Sequence, residues 1–178
     1  MKKEIQVFDY ANVILNELKT GVLLTTKADD KVNSMTISWG TLGIEWTNAI
    51  FTVFVRENRY TKQLLDKNGE FTINIPYGDY DKKILGVCGT KSGHNTDKIK
   101  DLGLTLVESD EVSVPAIKEL PLTLECKVVY KQGQVASAMT EENNKKYYPQ
   151  DVDSTFHGAN RDYHTAYYGE IVKAYIIE

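Results

Sequence analysis

Leu122-Thr-Leu-Glu-Cys-Lys-Val-Val-Tyr130 is the longest alternating run in the chain. Successive side chains on a strand point to opposite faces, so Leu122, Leu124, Cys126 and Val128 share one side and read as the core face of an antiparallel strand. Gln134 to Met139 is placed to pair back on it across Gln132-Gly133. Ala49-Ile-Phe-Thr-Val-Phe-Val55 is nearly continuous in apolar, β-branched and aromatic residues, as in a strand covered on both faces. Val22 to Thr26 and Val32 to Trp39 form a hairpin around the turn Ala28-Asp-Asp-Lys31. Gly40, Gly43 and Thr47-Asn48 are read as breaks. Glu70 to Ile75 is a strand stopped by Pro76, Leu104 to Glu108 alternates weakly, and Tyr167 to Ile177 is the final strand.

Short helices interrupt this pattern. Asp9 to Lys19 carries apolar residues at helical spacing, with Asp9 as cap and Gly21 as stop. Asn58 to Lys67 turns Leu64 and Leu65 inward, with Asn58 as cap and Gly69 as stop. Asp79 to Val87 and Thr96 to Asp101 are weaker, the second closed by Gly103, and Glu141 to Asn160 is a polar loop or partly helical excursion. About seven strands without regular βαβ alternation predict a mainly β protein, an antiparallel barrel or sandwich with peripheral short helices.

With 178 residues, 42% of them hydrophobic, the chain is expected to be a single domain (1–178) with a real core. A net charge of −4 favours neither nucleic acid nor an anionic membrane surface. Two cysteines, Cys88 and Cys126, are too few for a disulfide scaffold or a thiolate zinc site, and read as buried thiols. The first residues lack the apolar stretch of a signal peptide, and no run of about 18 apolar residues could span a membrane. A cytoplasmic location is the expectation.

Several familiar signatures are missing. No G-x-G-x-x-G, Walker phosphate loop or G-x-S-x-G elbow occurs, and His94, His157 and His164 lack metal-binding spacing. Two other stretches carry chemistry. In Asn33-Ser-Met-Thr-Ile-Ser-Trp-Gly40, Ser34, Thr36 and Ser38 share one strand face, and Met35, Ile37 and Trp39 the other. The polar face is either the solvent side of the sheet or a set of groups for the edge of a heteroaromatic ring. In Arg56-Glu-Asn-Arg-Tyr-Thr61, a helix start offers unpartnered N–H groups, flanked by Arg56, Arg59 and the Thr61 hydroxyl. That is an anion site, or a capped helix with surface arginines. Lys91-Ser-Gly-His-Asn-Thr-Asp-Lys98 is a solvated loop or one that closes over a ligand. His164, just before the last strand, either donates to a ligand or bonds the backbone.

Taken together, these stretches resemble the flavin reductase-like family of FMN-binding split barrels, which includes the flavoredoxins. The matching pieces run from Val22 to Ile176. They include Asn33 to Gly40, Val55 to Thr61, Gly69 to Pro76, Cys88 to Gly93 with Asp97-Lys98, Leu120 to Cys126, and His164 to Ile171. The resemblance implies a Greek-key barrel, a homodimer, and FMN near the subunit interface. It implies a flavin ring against Met35, Thr36, Ile37, Ser38 and Trp39, and a phosphate at Arg56, Asn58, Arg59 and Thr61. Ser92, Gly93 and Lys98 would border the ring or substrate side, with His164 near the flavin. Family members often carry serine at the position of Asn58. The expected activity is that of a flavin reductase, with NADH or NADPH as donor and a small molecule or free flavin as substrate, or of a flavoredoxin-like carrier exchanging electrons with a redox protein. No acid, nucleophile or metal is needed for hydride transfer, so no catalytic side chain is expected. The alternative is a non-enzymatic barrel holding another ligand such as haem, for which the histidines would be candidates.

Overall fold

A computed structural model of the chain describes residues 1–150, 152 and 162–178. In chain order the elements are β1 (Lys2–Glu4), α1 (Ala11–Thr20), β2 (Val22–Ala28), β3 (Lys31–Ile37), β4 (Gly40–Glu45), β5 (Asn48–Arg56), α2 (Tyr60–Asn68), β6 (Glu70–Ile75), α3 (Lys83–Thr90), α4 (Lys98–Leu102), β7 (Leu106–Val107), β8 (Ala116–Ile117), β9 (Leu122–Gly133), α5 (Glu141–Tyr147) and β10 (His164–Ile177).

The main sheet runs β3-β2-β6-β9-β10-β5-β4, with β1 added to β10, and every neighbouring pair is antiparallel. Its two edge strands, β3 and β4, are consecutive in the chain and joined only by Ser38 and Trp39. Three steps of extended chain span at most about 11 Å, so the sheet must curl until its edges nearly meet. The result is an antiparallel barrel split between β3 and β4, with Ser38 and Trp39 at the gap. The mainly β class read from the sequence is therefore the observed one.

The barrel interior is filled from alternate positions of β2, β5, β6 and β9, among them Leu24, Phe51, Val53, Phe71, Ile73 and Leu124, and is closed by Ile14 and Leu18 of α1. Leu23, on the other face of β2, packs with Ile84, Leu85 and Cys88 of α3 and with Ile117 and Leu120. The strand is thus buried on both sides. Gly169 lies where β10 shifts register against β9. A Cβ there would overlap the Phe71 ring, with Cε1 at 2.6 Å, so only glycine lets the ring lie across the strand.

Several local expectations are corrected. Asp9 lies in a turn of 3₁₀ helix over Val7–Tyr10, and α1 begins at Ala11 without a side-chain cap. Gly40 and Gly43 do not break the chain, because both are in β4, paired with Val53 and Ile50. Cross-strand bonding needs no side chain, and the turn falls at Trp46-Thr47, both at positive φ. α2 starts at Tyr60 rather than Asn58, since Arg59 still has extended dihedrals. α3 starts at Lys83 rather than Asp79. Gln134 to Met139 does not pair with β9, whose neighbours are β6 and β10, and Ala136–Ala138 is a 3₁₀ turn. Of the polar segment, α5 is described, and most of the stretch between α5 and β10 lies outside the described residues.

Candidate functional site

The cleft at the split is built from the end of β3, the link to β4, the end of β5 and the start of β10. It has a volume of about 230 Å³ and is lined by Met35, Thr36, Ile37, Ser38, Trp39, Phe54, Arg56, Arg59 and His164. Arg56 and His164 are cross-strand partners, so the barrel register sets their placement. A second cavity of about 110 Å³ lies at the start of α2, lined by Met35, Asn58, Arg59, Thr61, Ser92, Gly93 and Lys98, with Asn33, Tyr60, Cys88 and Lys91. Met35 and Arg59 belong to both. Each of the thirteen residues singled out from the sequence thus lines one or both of these two cavities, and no Asp or Glu is among their described lining.

Their division differs from the expected one. Arg56 lies on the His164 side, where its Nη1 donates to the Asp162 carbonyl at 2.9 Å and its guanidinium stands 5.2 Å from the Tyr148 ring centre. Ser92, Gly93 and Lys98 join Asn58, Arg59 and Thr61 instead of the strand end. The Asn58 backbone N–H donates to Asp162 Oδ2 at 2.8 Å, so this residue fastens the chain ahead of α2 and does not cap the helix. No side chain of the described residues caps the first turn of α2; the Lys62 N–H donates to the Arg59 carbonyl at 3.0 Å, which leaves the Tyr60 and Thr61 N–H groups for an outside acceptor.

The polar face of β3 does not look at solvent. Ser34 is fully buried and hydrogen-bonded to the Thr25 hydroxyl, and on the opposite face, shared with Met35, the buried Asn33 amide donates to Thr61 Oγ1 at 2.8 Å. Thr36 donates to the Leu85 carbonyl at 2.6 Å. The helices α2, α3 and α4 pack over this strand, which is why it carries polar groups on a covered side. Thr36 therefore uses its hydroxyl to hold α3, and Ser38 is the hydroxyl of the link that makes no hydrogen bond to described residues.

The smaller cavity is strongly cationic. Lys98 is only 3% exposed, and of its three N–H donors one is placed, on the Lys91 carbonyl at 3.2 Å. Burial lowers its pKa, the neighbouring Cys88 works the other way, and repulsion from Arg59 lowers it further. A buried ammonium facing another cation, with no carboxylate among the described lining residues, is a site that an anion would stabilise. Gly93 brings the loop against β3, since a Cβ there would overlap Asn33 and come to 2.5 Å from the Tyr60 ring.

His164 is buried, with Nδ1 2.8 Å from the Tyr148 hydroxyl and its ring 5.1 Å from that of Trp39. Burial, followed by repulsion from Arg56 and Arg59, brings its pKa down to about 4, so it is neutral at pH 7. The imidazole keeps Nε2 for the cleft. Trp39 also meets Tyr147 edge-on at 5.2 Å and stays 40% exposed. His94 is elsewhere, against Tyr60 at 4.7 Å, and His157 lies outside the described residues. Hence the described histidines do not converge on one point.

Sequence reasoning did not assign Asn33, Phe54, Tyr60, Cys88, Lys91 or Tyr148 to the site. Asn33 opens the polar strand, and Cys88 and Lys91 fall in the glycine-rich Gly86–Gly93 stretch. Phe54 reads only as core, and Tyr148 sits in a polar segment without periodicity.

Comparison with known proteins gives the family and the fold. The family model described as "Flavin reductase like domain" matches residues 15–178. An uncharacterized protein of Archaeoglobus fulgidus is 38% identical over 100 residues, covering 56% of this chain and 55% of that protein. One from Pyrococcus abyssi is 34% identical over 106 residues, covering 60% and 59%. The chain therefore spans a little over half the length of these curated relatives. Among solved structures, the flavoredoxin of Methanosarcina acetivorans superposes with TM-score 0.63 at 26% identity, covering 89% of this chain and 68% of that one. The flavoredoxin of Desulfovibrio vulgaris (Miyazaki F) gives 0.64 at 24%, covering 89% and 69%. Nitrilotriacetate monooxygenase component B from Bacillus cereus shares the fold, with TM-score 0.66 at 18% identity, covering 98% and 78%. With a split antiparallel barrel, a site at its seam and a family match over nearly the whole length, the chain belongs to the flavin reductase-like domain family.

Proposed function

We propose that the chain is an FMN-binding oxidoreductase, either a flavin reductase drawing on NADH or NADPH or a flavoredoxin-like electron carrier. One observation carries this reading. An aromatic cleft and a cationic cavity with no carboxylate among its described lining residues share Met35 and Arg59, which suits a ligand with a flat ring at one end and a phosphate at the other. Arg59, Lys98, Ser92 and the first turn of α2 would hold the phosphate. Met35 to Trp39 would carry the ring, with Ser38, the strand-end backbone and neutral His164 offering hydrogen bonds to its edge. When bound, FMN supplies the hydride and electron chemistry, and the protein supplies orientation and water exclusion.

Protein incubated with FMN should stay yellow after desalting, with a Kd in the micromolar range or below from titration. Protein that keeps no yellow colour after free FMN is removed, and that shows no saturable binding up to millimolar FMN, would falsify the proposal. Stopped-flow mixing separates the two forms of it. Bleaching by NADH or NADPH supports a reductase, and bleaching only by a reduced ferredoxin-type protein supports a carrier.

The homodimer expected from the resemblance is proposed as well. Trp46, Tyr130 and Tyr168 form an aromatic run with centroid spacings of 6.4 and 5.2 Å, and Ile44 and Val129 are exposed nearby in sequence. Sedimentation at micromolar concentration should give twice the chain mass, and Trp46→Glu should shift it toward the monomer.

A further inference from the structure

A second cleft, of about 470 Å³, adjoins the first and shares Ser38, Trp39 and Phe54 with it. Its walls are mostly apolar: Leu15 and Leu18 from α1, with Trp39 and Phe54 from the barrel. Its size is that of a small-molecule pocket and not of a packing defect.

The polar groups around it share one character. Lys19 reaches it from the last turn of α1 and has no carboxylate within ion-pair distance among the described residues. Gln134 uses its carbonyl oxygen to accept the His164 backbone N–H at 3.0 Å, which leaves its amide N–H groups as donors. No Asp or Glu is among the described residues that line the cleft. Apolar walls plus unmatched donors select a flat hydrocarbon body ending in an acceptor, and the lysine favours one with negative charge. Lys19 also complements the C-terminal dipole of α1, a structural role that leaves its donors available to a ligand.

We propose that this cleft binds a flat, apolar carboxylate, seated against Trp39 with its charge at Lys19. The inference rests on the cofactor reading for what lies beyond Trp39, where FMN would occupy the adjoining cleft. It thereby names the class of small molecule that shares the wall with the flavin.

The test uses 2-naphthoate as probe and 2-naphthylmethanol as its uncharged counterpart, titrated calorimetrically into FMN-loaded protein. Wild type should bind naphthoate saturably and more tightly than the alcohol. Lys19→Gln should weaken naphthoate about tenfold, the loss of one charge-assisted bond, and leave the alcohol unchanged. Leu15→Glu, which puts a like charge on the apolar wall, should abolish naphthoate binding. Neither residue lines the cofactor cleft, so FMN affinity should stay the same in both variants. Absence of saturable naphthoate binding overturns the proposal, as does equal weakening of both probes by Lys19→Gln. A dimer that excludes naphthoate until it dissociates overturns it too, since a second copy would then be the occupant. The visible spectrum separates this failure from that of the cofactor reading. Colourless protein that takes up naphthoate sinks the flavin and keeps the cleft, and yellow protein that takes up none does the reverse.

Discussion

Arg59 and Lys98 are the two side chains on which the anion site turns, and they differ in what they cost the empty protein. Arg59 borders both parts of the site at the start of α2. Arg59→Ala should weaken FMN by about 1–3 kcal/mol through loss of a charge-assisted bond, and should affect riboflavin, which has no phosphate, far less. Equal losses for both ligands would contradict the assignment. Lys98 is a buried cation with a single carbonyl partner. Replacing such a charge by an apolar side chain of similar length relieves desolvation, so Lys98→Met should raise the stability of ligand-free protein by on the order of 1 kcal/mol while weakening FMN. Urea unfolding and FMN titration of one variant read these opposite signs, and a variant less stable than wild type would argue that Lys98 has a structural partner.

The elements around the site depend on two backbone positions. At the β4–β5 turn, Trp46 and Thr47 have φ of 50° and 66°. This pair of left-handed residues matches the twist of a hairpin, yet a β-branched side chain there is strained by about 1 kcal/mol or more. Thr47→Gly is expected to raise the thermal midpoint by about 2–4 °C, the shift that 1 kcal/mol gives in a domain of this size. Calorimetry checks it, and a lowered midpoint would mean that the Thr47 hydroxyl, 2.5 Å from the Trp46 carbonyl, outweighs the strain. Between α3 and α4, Gly93 packs on Asn33 and Tyr60. Gly93→Ala must push the loop off β3 and disturb the Asn33–Thr61 bond, so FMN affinity should drop about tenfold or more with little change in thermal midpoint. Loss of stability without loss of affinity would assign Gly93 to the core instead of the site.

For the protein as one cooperative unit, acid is the informative variable. The ordinary His pKa of 6.5 is brought to about 4 at His164, so an unfolded chain takes up a proton there that the folded one refuses. Its contribution is complete above pH 6.5 and is lost as pH falls toward 4. Burial works against ionisation of Asp66, but hydrogen bonds from Lys62, Lys131 and Tyr167 outweigh it and bring that carboxyl from 3.8 to about 2. Its stabilising effect is present above pH 3.8 and disappears between there and pH 2. The urea midpoint should therefore decline from pH 6.5 downward, in two stages, and His164→Gln should flatten the upper one. A midpoint that is constant between pH 7 and 5 would mean that His164 titrates alike in both states.

Much was legible from the chain alone because strand and helix periodicities are local. Alternation in Leu122–Tyr130, the apolar run Ala49–Val55 and the glycine stop at Gly69 all report on a few neighbouring residues, and the elements lie there. Boundaries differ at Asp79, where α3 begins at Lys83, and at Asn58, where the cap expected from residue type is overruled by the contacts of the folded chain. The Asn58 N–H, for example, finds Asp162, more than a hundred positions away. Residue chemistry singled out Asn33–Gly40 and Arg56–Thr61 but left each with a plain structural alternative, and the family resemblance joined them into one candidate site. What local pattern could not supply was their grouping. Whether Arg56 faces His164 or Thr61 depends on the register of β5 against β10, and whether Lys98 is a surface lysine or a buried cation depends on how α4 packs over β3. Both are settled by closing the sheet, a long-range event that no short window of sequence contains.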